Sequence, residues 1–254
     1  MARRGRLIAI EGASGSGKTT LVQAAARSLG WRPLAEAFDR LDPAPSLEFR
    51  SPRELLWLEA VLLVEEVRRY EEARRATARG ETVVADTGFL GPLTYTRGLV
   101  DLGRVPPSTS RAVERTVRSL LRNGALGIPD LTVYLTTTVA ERRRRARTRG
   151  RRHPASLQAR HEAVGVIERR FFEEVVATAL PDRFRTLRAD IRPTELALRL
   201  ERLVKEARPT PVSRAEALAL LVRGRPPAGK RGVRTSAPTV KKPTRPAPHP
   251  RDRR

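Results

Sequence analysis

Cysteine is absent from the 254 residues, which excludes a disulfide framework, a thiol nucleophile and any cysteine-ligated metal site. Histidine occurs only three times, too scattered to suggest a metal centre. Aromatic residues make up only 4% of the chain. No apolar run approaches the ~20 residues that a membrane-spanning helix needs. The opening MARRGRLIAIEG has too short an apolar stretch for a secretory signal, so a cytoplasmic protein with no membrane partner is expected. Lysine is nearly missing as well: of 51 basic residues, 46 are Arg and 5 are Lys.

What is present is a basic chain with enough apolar material for a core. Hydrophobic residues make up 39%, and the net charge is +23. The charge is uneven. Residues 208–254 hold thirteen basic and two acidic residues among dense prolines. Apolar residues nearly vanish after Val222, so this stretch cannot bury enough surface to offset its ordering entropy. A short helix at 214–222 with Ser213 as N-cap is expected there, followed by disorder over 224–254. A basic tail can act as an arm for nucleic acid through counterion release, or be a solvated Arg/Pro segment. No aromatic residue is interleaved to stack on bases, which disfavours nucleic acid.

Before residue 208 only two lysines remain, Lys18 and Lys205, and the surroundings of Lys18 are informative. Leu7–Ile10 is a short apolar strand. Gly12, Ala13, Ser14, Gly15, Ser16, Gly17, Lys18, Thr19 and Thr20 follow, with the G-x-x-x-x-G-K-T spacing of a phosphate-binding loop. A helical pattern then runs through Leu21–Leu29 and closes at Gly30. Glycines let such a loop turn its N–H groups onto phosphates, and the helix N-terminus adds partial positive charge. Lys18 supplies a point charge for the β- and γ-phosphates of ATP, and the Thr19 hydroxyl a ligand for Mg²⁺.

Further strands are expected at Thr82–Asp86, Leu131–Leu135 and Phe184–Leu187, with a weaker one at Trp31–Ala35 ending near Glu36. Helices are expected at about 53–78, 108–124, 139–149, 156–179 and 193–207. This alternation implies a parallel sheet with helices on both faces, an α/β P-loop NTPase fold. Ligands of such sheets lie beyond the strand C-termini, so Asp86 reads as a carboxylate for metal or metal-bound water, or as a strand-end cap. The helix at 53–78 is apolar nearly all round through Leu55–Val64 and should be largely buried. Its one internal charge, Glu59, faces either an acceptor pocket or the rim. Glu141 to Pro154 is arginine-rich, with Arg142, Arg145 and Arg149 on one helical face. An Arg-rich lid over ATP at about 142–156 is the reading adopted. A nucleic-acid patch and a solvated face are its rivals.

Taken together, these residues resemble the thymidylate kinase and deoxynucleoside kinase group of P-loop kinases, over about residues 5–205. The resemblance rests on Ile10-Glu11-Gly12 through Thr20, Asp86, Pro129–Leu135, Arg145 and Arg149-Gly150, and Glu168-Arg169-Arg170-Phe171-Phe172. It implies a five-stranded parallel sheet in the order 2-3-1-4-5 within a kinase domain spanning 1–207. It also implies transfer of the ATP γ-phosphate, with Mg²⁺, to a nucleoside monophosphate or nucleoside, and a possible homodimer. Glu36, in Ala35–Arg40, resembles the strand-end glutamate of deoxynucleoside kinases, which accepts the proton of an attacking hydroxyl. Tyr95 lies in a segment similar to the family's acceptor-contacting one, and Phe89 or Trp57 could stack on a base or serve the core. Glu36, Asp86, Lys18, Arg145 and Arg149 are therefore the expected catalytic set, with Thr19 and Asp86 for the metal.

Two positions depart from the pattern. Asp86 is followed by Thr87 where thymidylate kinases typically carry Arg, and Val61 stands approximately where they carry another. Both arginines hold an acceptor phosphate, and Arg53, Arg68, Arg69 or Arg97 would have to replace them. Two other functions remain open on the sequence: a nucleic-acid-associated P-loop ATPase, and a degenerate kinase fold with a regulatory ATP site.

Overall fold

The computed structural model describes residues 4–148, 155–208, 210 and 212–223. Five parallel strands form one sheet: β1 (Leu7–Glu11), β2 (Arg32–Leu34), β3 (Val83–Asp86), β4 (Leu131–Thr136) and β5 (Phe184–Arg188), ordered β2-β3-β1-β4-β5. Because both faces are covered, the inner strands are continuous apolar runs rather than alternating ones. Pro33 is accommodated because β2 lies at the sheet edge, where a missing N–H costs little.

Successive side chains divide between two cores. Ile8, Ile10, Val84, Val133 and Leu135 pack on one face with α1 (Lys18–Leu29) and α8 (Pro193–Glu206). Leu7, Val83, Ala85 and Tyr134 pack on the other. There they meet α2 (Pro52–Ala78), α3 (Gly91–Asp101) and α4 (Pro107–Arg122). Helix α5 (Val139–Thr148) follows β4, and α6 (Ala155–Arg170) runs into a π-helical turn, Phe171–Val176, and the short α7 (Ala177–Ala179). The expected uninterrupted helix over 156–179 is thus widened by one π turn, which turns Phe171 and Phe172 into the core.

Helix α2 starts at Ser51, whose hydroxyl accepts from Glu54 N at 3.2 Å, with Pro52 at the first helical position. The run Leu55–Val64 is largely buried, as expected, but not throughout. Trp57 is 65% and Val64 55% exposed, because only one face of this helix is covered by the sheet and its neighbours. Trp57 is therefore not core, whereas Phe89 is core, packed edge-on to Tyr70 at 5.3 Å. Helix α3 had no sequence signal, since its Gly-Pro start and its threonines are weak helix formers held here by packing.

The helix expected at 214–222 is α9 (Arg214–Arg223), capped by Ser213 Oγ accepting from Glu216 N. It is part of the folded body: Leu220 and Leu221 are buried, and Leu221 O accepts from Arg97 Nη2 at 2.5 Å. The expected disorder over 224–254 and the lid residues 149–154 lie outside the described residues.

Candidate active site

A cleft of about 320 Å³ opens at the C-terminal edge of β1, β2 and β3. One wall is the phosphate-binding loop between β1 and α1. Gly12 has φ +141°, and a Cβ there would come within 2.7 Å of Leu135 O. Gly17 caps α1 at φ +103°, also a conformation that glycine alone adopts easily. Ser16 N donates to Ala13 O at 3.0 Å, closing the turn, and Ala13 packs against α6 at Gly165. Lys18 Nζ donates to Gly12 O at 2.9 Å and lines the cleft together with Ser14, Gly15 and Thr19. Thr20 lies beside Thr19 in the first turn of α1.

Arg145 braces this loop from α5. Its Nη1 donates to Ser16 O at 2.8 Å and its Nη2 to Ala189 O at 2.5 Å, while Nε pairs with Glu141 at 2.7 Å. Arg142, one turn earlier, packs against Gly15. Arg149 lies outside the described residues.

Asp86 ends β3 opposite Ile10. It is buried, and its Oδ1 has no hydrogen-bond partner. The next residue, Thr87, lines the cleft in the left-handed conformation, φ +64°, which costs a β-branched residue about 1–3 kcal/mol. Arg69, fully buried on α2, holds this corner: its Nη2 donates to Asp86 O at 2.8 Å and Thr87 O at 3.2 Å. Its Nη1 pairs with Glu66, and its guanidinium lies over the Phe89 ring.

None of the arginines that could have rebuilt an acceptor-phosphate clamp lines the cleft. Arg69 is committed to Glu66 and the β3 corner. Arg97 is buried against Glu114 and Leu221 O, Arg68 is an exposed partner of Glu65, and Arg53 is exposed.

The opposite wall is acidic. Glu36 follows β2, and burial pushes its carboxyl up; the Lys18 charge opposes this and Asp86 adds to it. Glu11 accepts from Gly88 N at 2.8 Å, and burial with the nearby Glu168 raises it to about 8. Glu66 is raised to about 7 by burial, against the pull of Arg69. Glu168 accepts from Thr94 Oγ1 at 3.3 Å and is raised by burial. Glu59 is only 1% exposed, lines the cleft, and has neither carboxylate oxygen hydrogen-bonded; burial alone raises it well above the usual range. Glu59 therefore faces the pocket rather than the rim. Tyr95 lines the same end with a buried hydroxyl that has no partner, edge-on to His161 at 6.3 Å.

The sequence reading brought Lys18, Thr19, Glu36 and Tyr95 to this cleft, and the structure places all four along it. It assigned no chemistry to Glu11, Glu66 or Glu168. Glu59 and Glu66 are two turns apart on α2, and that spacing was the available signal. Glu11 and Glu168 meet only through the tertiary fold.

Among the described residues, no group of three or more His, Asp or Glu forms a metal cage, and no helix is long and apolar enough to cross a membrane. The residues present fit a phosphate-borne Mg²⁺, which needs one hydroxyl and an acidic neighbour rather than a cage: Thr19 borders the cleft, and Asp86 keeps an unpartnered oxygen.

A family model described as AAA domain matches residues 7–162. No curated protein sequence matches significantly. Among solved structures, deoxyadenosine kinase from M. mycoides with bound dATP aligns with a TM-score of 0.60 at 18% identity, covering 78% of this chain and 99% of that one. The same kinase with dCMP and dCDP aligns at 0.58 and 17% identity, covering 78% and 98%. Thymidylate kinase from Candida albicans aligns at 0.54 and 15% identity, covering 80% and 92%. With its phosphate-binding loop, strand order and these likenesses in fold, the chain belongs to the AAA domain family and has the P-loop kinase fold of the deoxynucleoside and thymidylate kinases.

Proposed function

We propose that the chain is an ATP-dependent phosphotransferase that moves the γ-phosphate to a hydroxyl group of a small acceptor. The observation that carries this reading is the facing of two walls across one cleft: the Lys18 loop on one side and the half-buried carboxyl of Glu36 on the other. The loop N–H groups and Lys18 would hold the ATP phosphates, leaving the γ-phosphate directed at the acceptor. Mg²⁺ would sit at Thr19, with Asp86 orienting its water ligands, and would neutralise charge on the β- and γ-phosphates. Glu36 would take the proton of the attacking hydroxyl, its raised affinity for protons suiting a general base for an alcohol. Arg145 would stiffen the loop through Ser16 O, and Arg149 would belong to a lid that excludes water.

A hydroxyl acceptor, rather than a monophosphate, is supported by the same lining. The two family arginines that would grip a phosphate are Thr87 and Val61 in this chain, and among the described residues no arginine lines the cleft. The deoxyadenosine kinase alignments are in keeping with a nucleoside-sized acceptor. Transfer from labelled ATP to a panel of alcohols, nucleosides and nucleoside monophosphates tests the reading. Lys18→Ala should lower transfer by at least about 100-fold, and full activity in that variant would contradict it.

A further inference from the structure

The acceptor end of the cleft holds more carboxyl groups than a hydroxyl transfer needs. Glu36 is enough for proton removal, yet Glu11, Glu59, Glu66 and Glu168 share the lining, with Lys18 the one Lys or Arg among the described residues that form it. Most of these acids are accounted for. Glu11 is held by Gly88 N, Glu66 by Arg69 and Glu168 by Thr94. Glu59 is not. It is 1% exposed, neither oxygen has a hydrogen-bond partner, and the Tyr95 hydroxyl near it is likewise unpartnered. Arg160 does not serve it: that guanidinium stacks over Phe49 at 5.1 Å and donates to Leu47 O at 2.9 Å.

Burial without partners keeps the Glu59 carboxyl neutral, and a bound molecule that brings a cation or N–H donors would favour its charged form. The apolar lining around it, Leu58, Leu62, Pro92 and Val164, would strengthen such a pairing by excluding water. A phosphate in the same place would face the acids unpaired.

Resting on the phosphotransferase reading above, we propose that the acceptor is an alcohol carrying a positive charge, an ammonium or a cationic ring nitrogen, which Glu59 binds at the end of the cleft. Glu59 is then a specificity-determining residue, and the charge of the acceptor, rather than its carbon skeleton, is what the pocket selects first.

Calorimetric binding to the full chain tests this without requiring turnover. The probes are matched pairs: 1-methyladenosine against adenosine, glucosamine against glucose, and 2-amino-1,3-propanediol against glycerol, with AMP as the anionic member. At least one cationic member should bind about tenfold or more tighter than its neutral partner, in the range expected of a charge-assisted hydrogen bond. AMP should bind more weakly than adenosine. The pair that responds identifies the source of the charge, whether nucleoside, amino sugar or amino alcohol. Glu59→Gln should compress the preference to within about threefold, and Glu59→Asp should retain its direction. No cation preference in any pair, tighter binding of AMP than adenosine, or a preference unchanged in Glu59→Gln would each overturn the proposal. If the wild type alone can be measured, the first two outcomes still decide it. Failure of the phosphotransferase reading is separate: it would appear as absent transfer, or as transfer indifferent to Lys18→Ala, whatever these affinities are.

Discussion

Two glycines and five glutamates decide what the cleft can do at the scale of single residues. Gly12 combines φ +141° with a would-be Cβ only 2.7 Å from Leu135 O, so neither conformation nor space admits a side chain. Gly12→Ala should destabilise the fold by about 1–3 kcal/mol and weaken ATP binding, read by thermal unfolding with and without nucleotide. Glu11 carries a different prediction. Its folded carboxyl titrates at about 8, above the ordinary 4.5, so the folded state holds a proton that the unfolded chain has already released. Stability from this residue is therefore fully present below about pH 4.5 and is lost as pH rises towards 8. Glu66, raised to about 7, acts in the same direction. The unfolding temperature should fall across this window, and Glu11→Gln should flatten the fall. An unfolding temperature that rises from pH 5 to 8 would contradict the burial of these acids.

The consequential unit among the secondary elements is α2 with the β3 corner it braces. Arg69 stands where a rebuilt acceptor clamp was sought, but its hydrogen bonds go to Glu66, Asp86 O and Thr87 O. Arg69→Ala should cost about 3–5 kcal/mol because it strands buried Glu66. Arg69→Met with Glu66→Leu should recover most of that, measured by denaturant unfolding. A phosphate-binding arginine would instead lower activity with little loss of stability. The same elements show how far the sequence can be read. Strands β1, β3 and β4 and helices α1, α4 and α8 follow from apolar runs and period, because the sheet is buried on both faces and local pattern and tertiary demand agree. Helix α3 was invisible because its helicity comes from packing rather than composition. The exposed stripe of α2 was equally hidden, since periodicity cannot say which apolar face finds a neighbour. The phosphate-binding loop was fully legible, being a contiguous motif. The acidic wall was legible only in part, Glu36 through a resemblance and Glu59 as one of two readings, because Glu11 and Glu168 join them only across the folded sheet.

For the molecule as a whole, the folded body continues to the end of α9. Leu220 and Leu221 are buried against α4 and the core, and Arg183 Nε reaches Thr210 O at 2.8 Å, fastening the preceding segment. Each buried leucine contributes roughly 1.5–3 kcal/mol. A chain ending at residue 212 should therefore unfold at a lower temperature than one ending at 223, by an amount readable in a thermal melt. Both sheet faces feed the same cleft: α1 and α8 stiffen the phosphate side, α2 and α3 supply the acceptor side. The division of labour predicts that donor and acceptor properties can be altered separately, Lys18→Ala removing the first and Glu59→Gln the second.

The most direct test of the whole account is transfer of labelled γ-phosphate from ATP, with Mg²⁺, to alcohols, nucleosides and nucleoside monophosphates in parallel, with DNA and RNA in companion wells. The account predicts a labelled monoester of a hydroxyl acceptor, lost in Lys18→Ala and not formed by adding nucleic acid. No labelled product from any acceptor, with ATP hydrolysis rising on DNA or RNA, would contradict it.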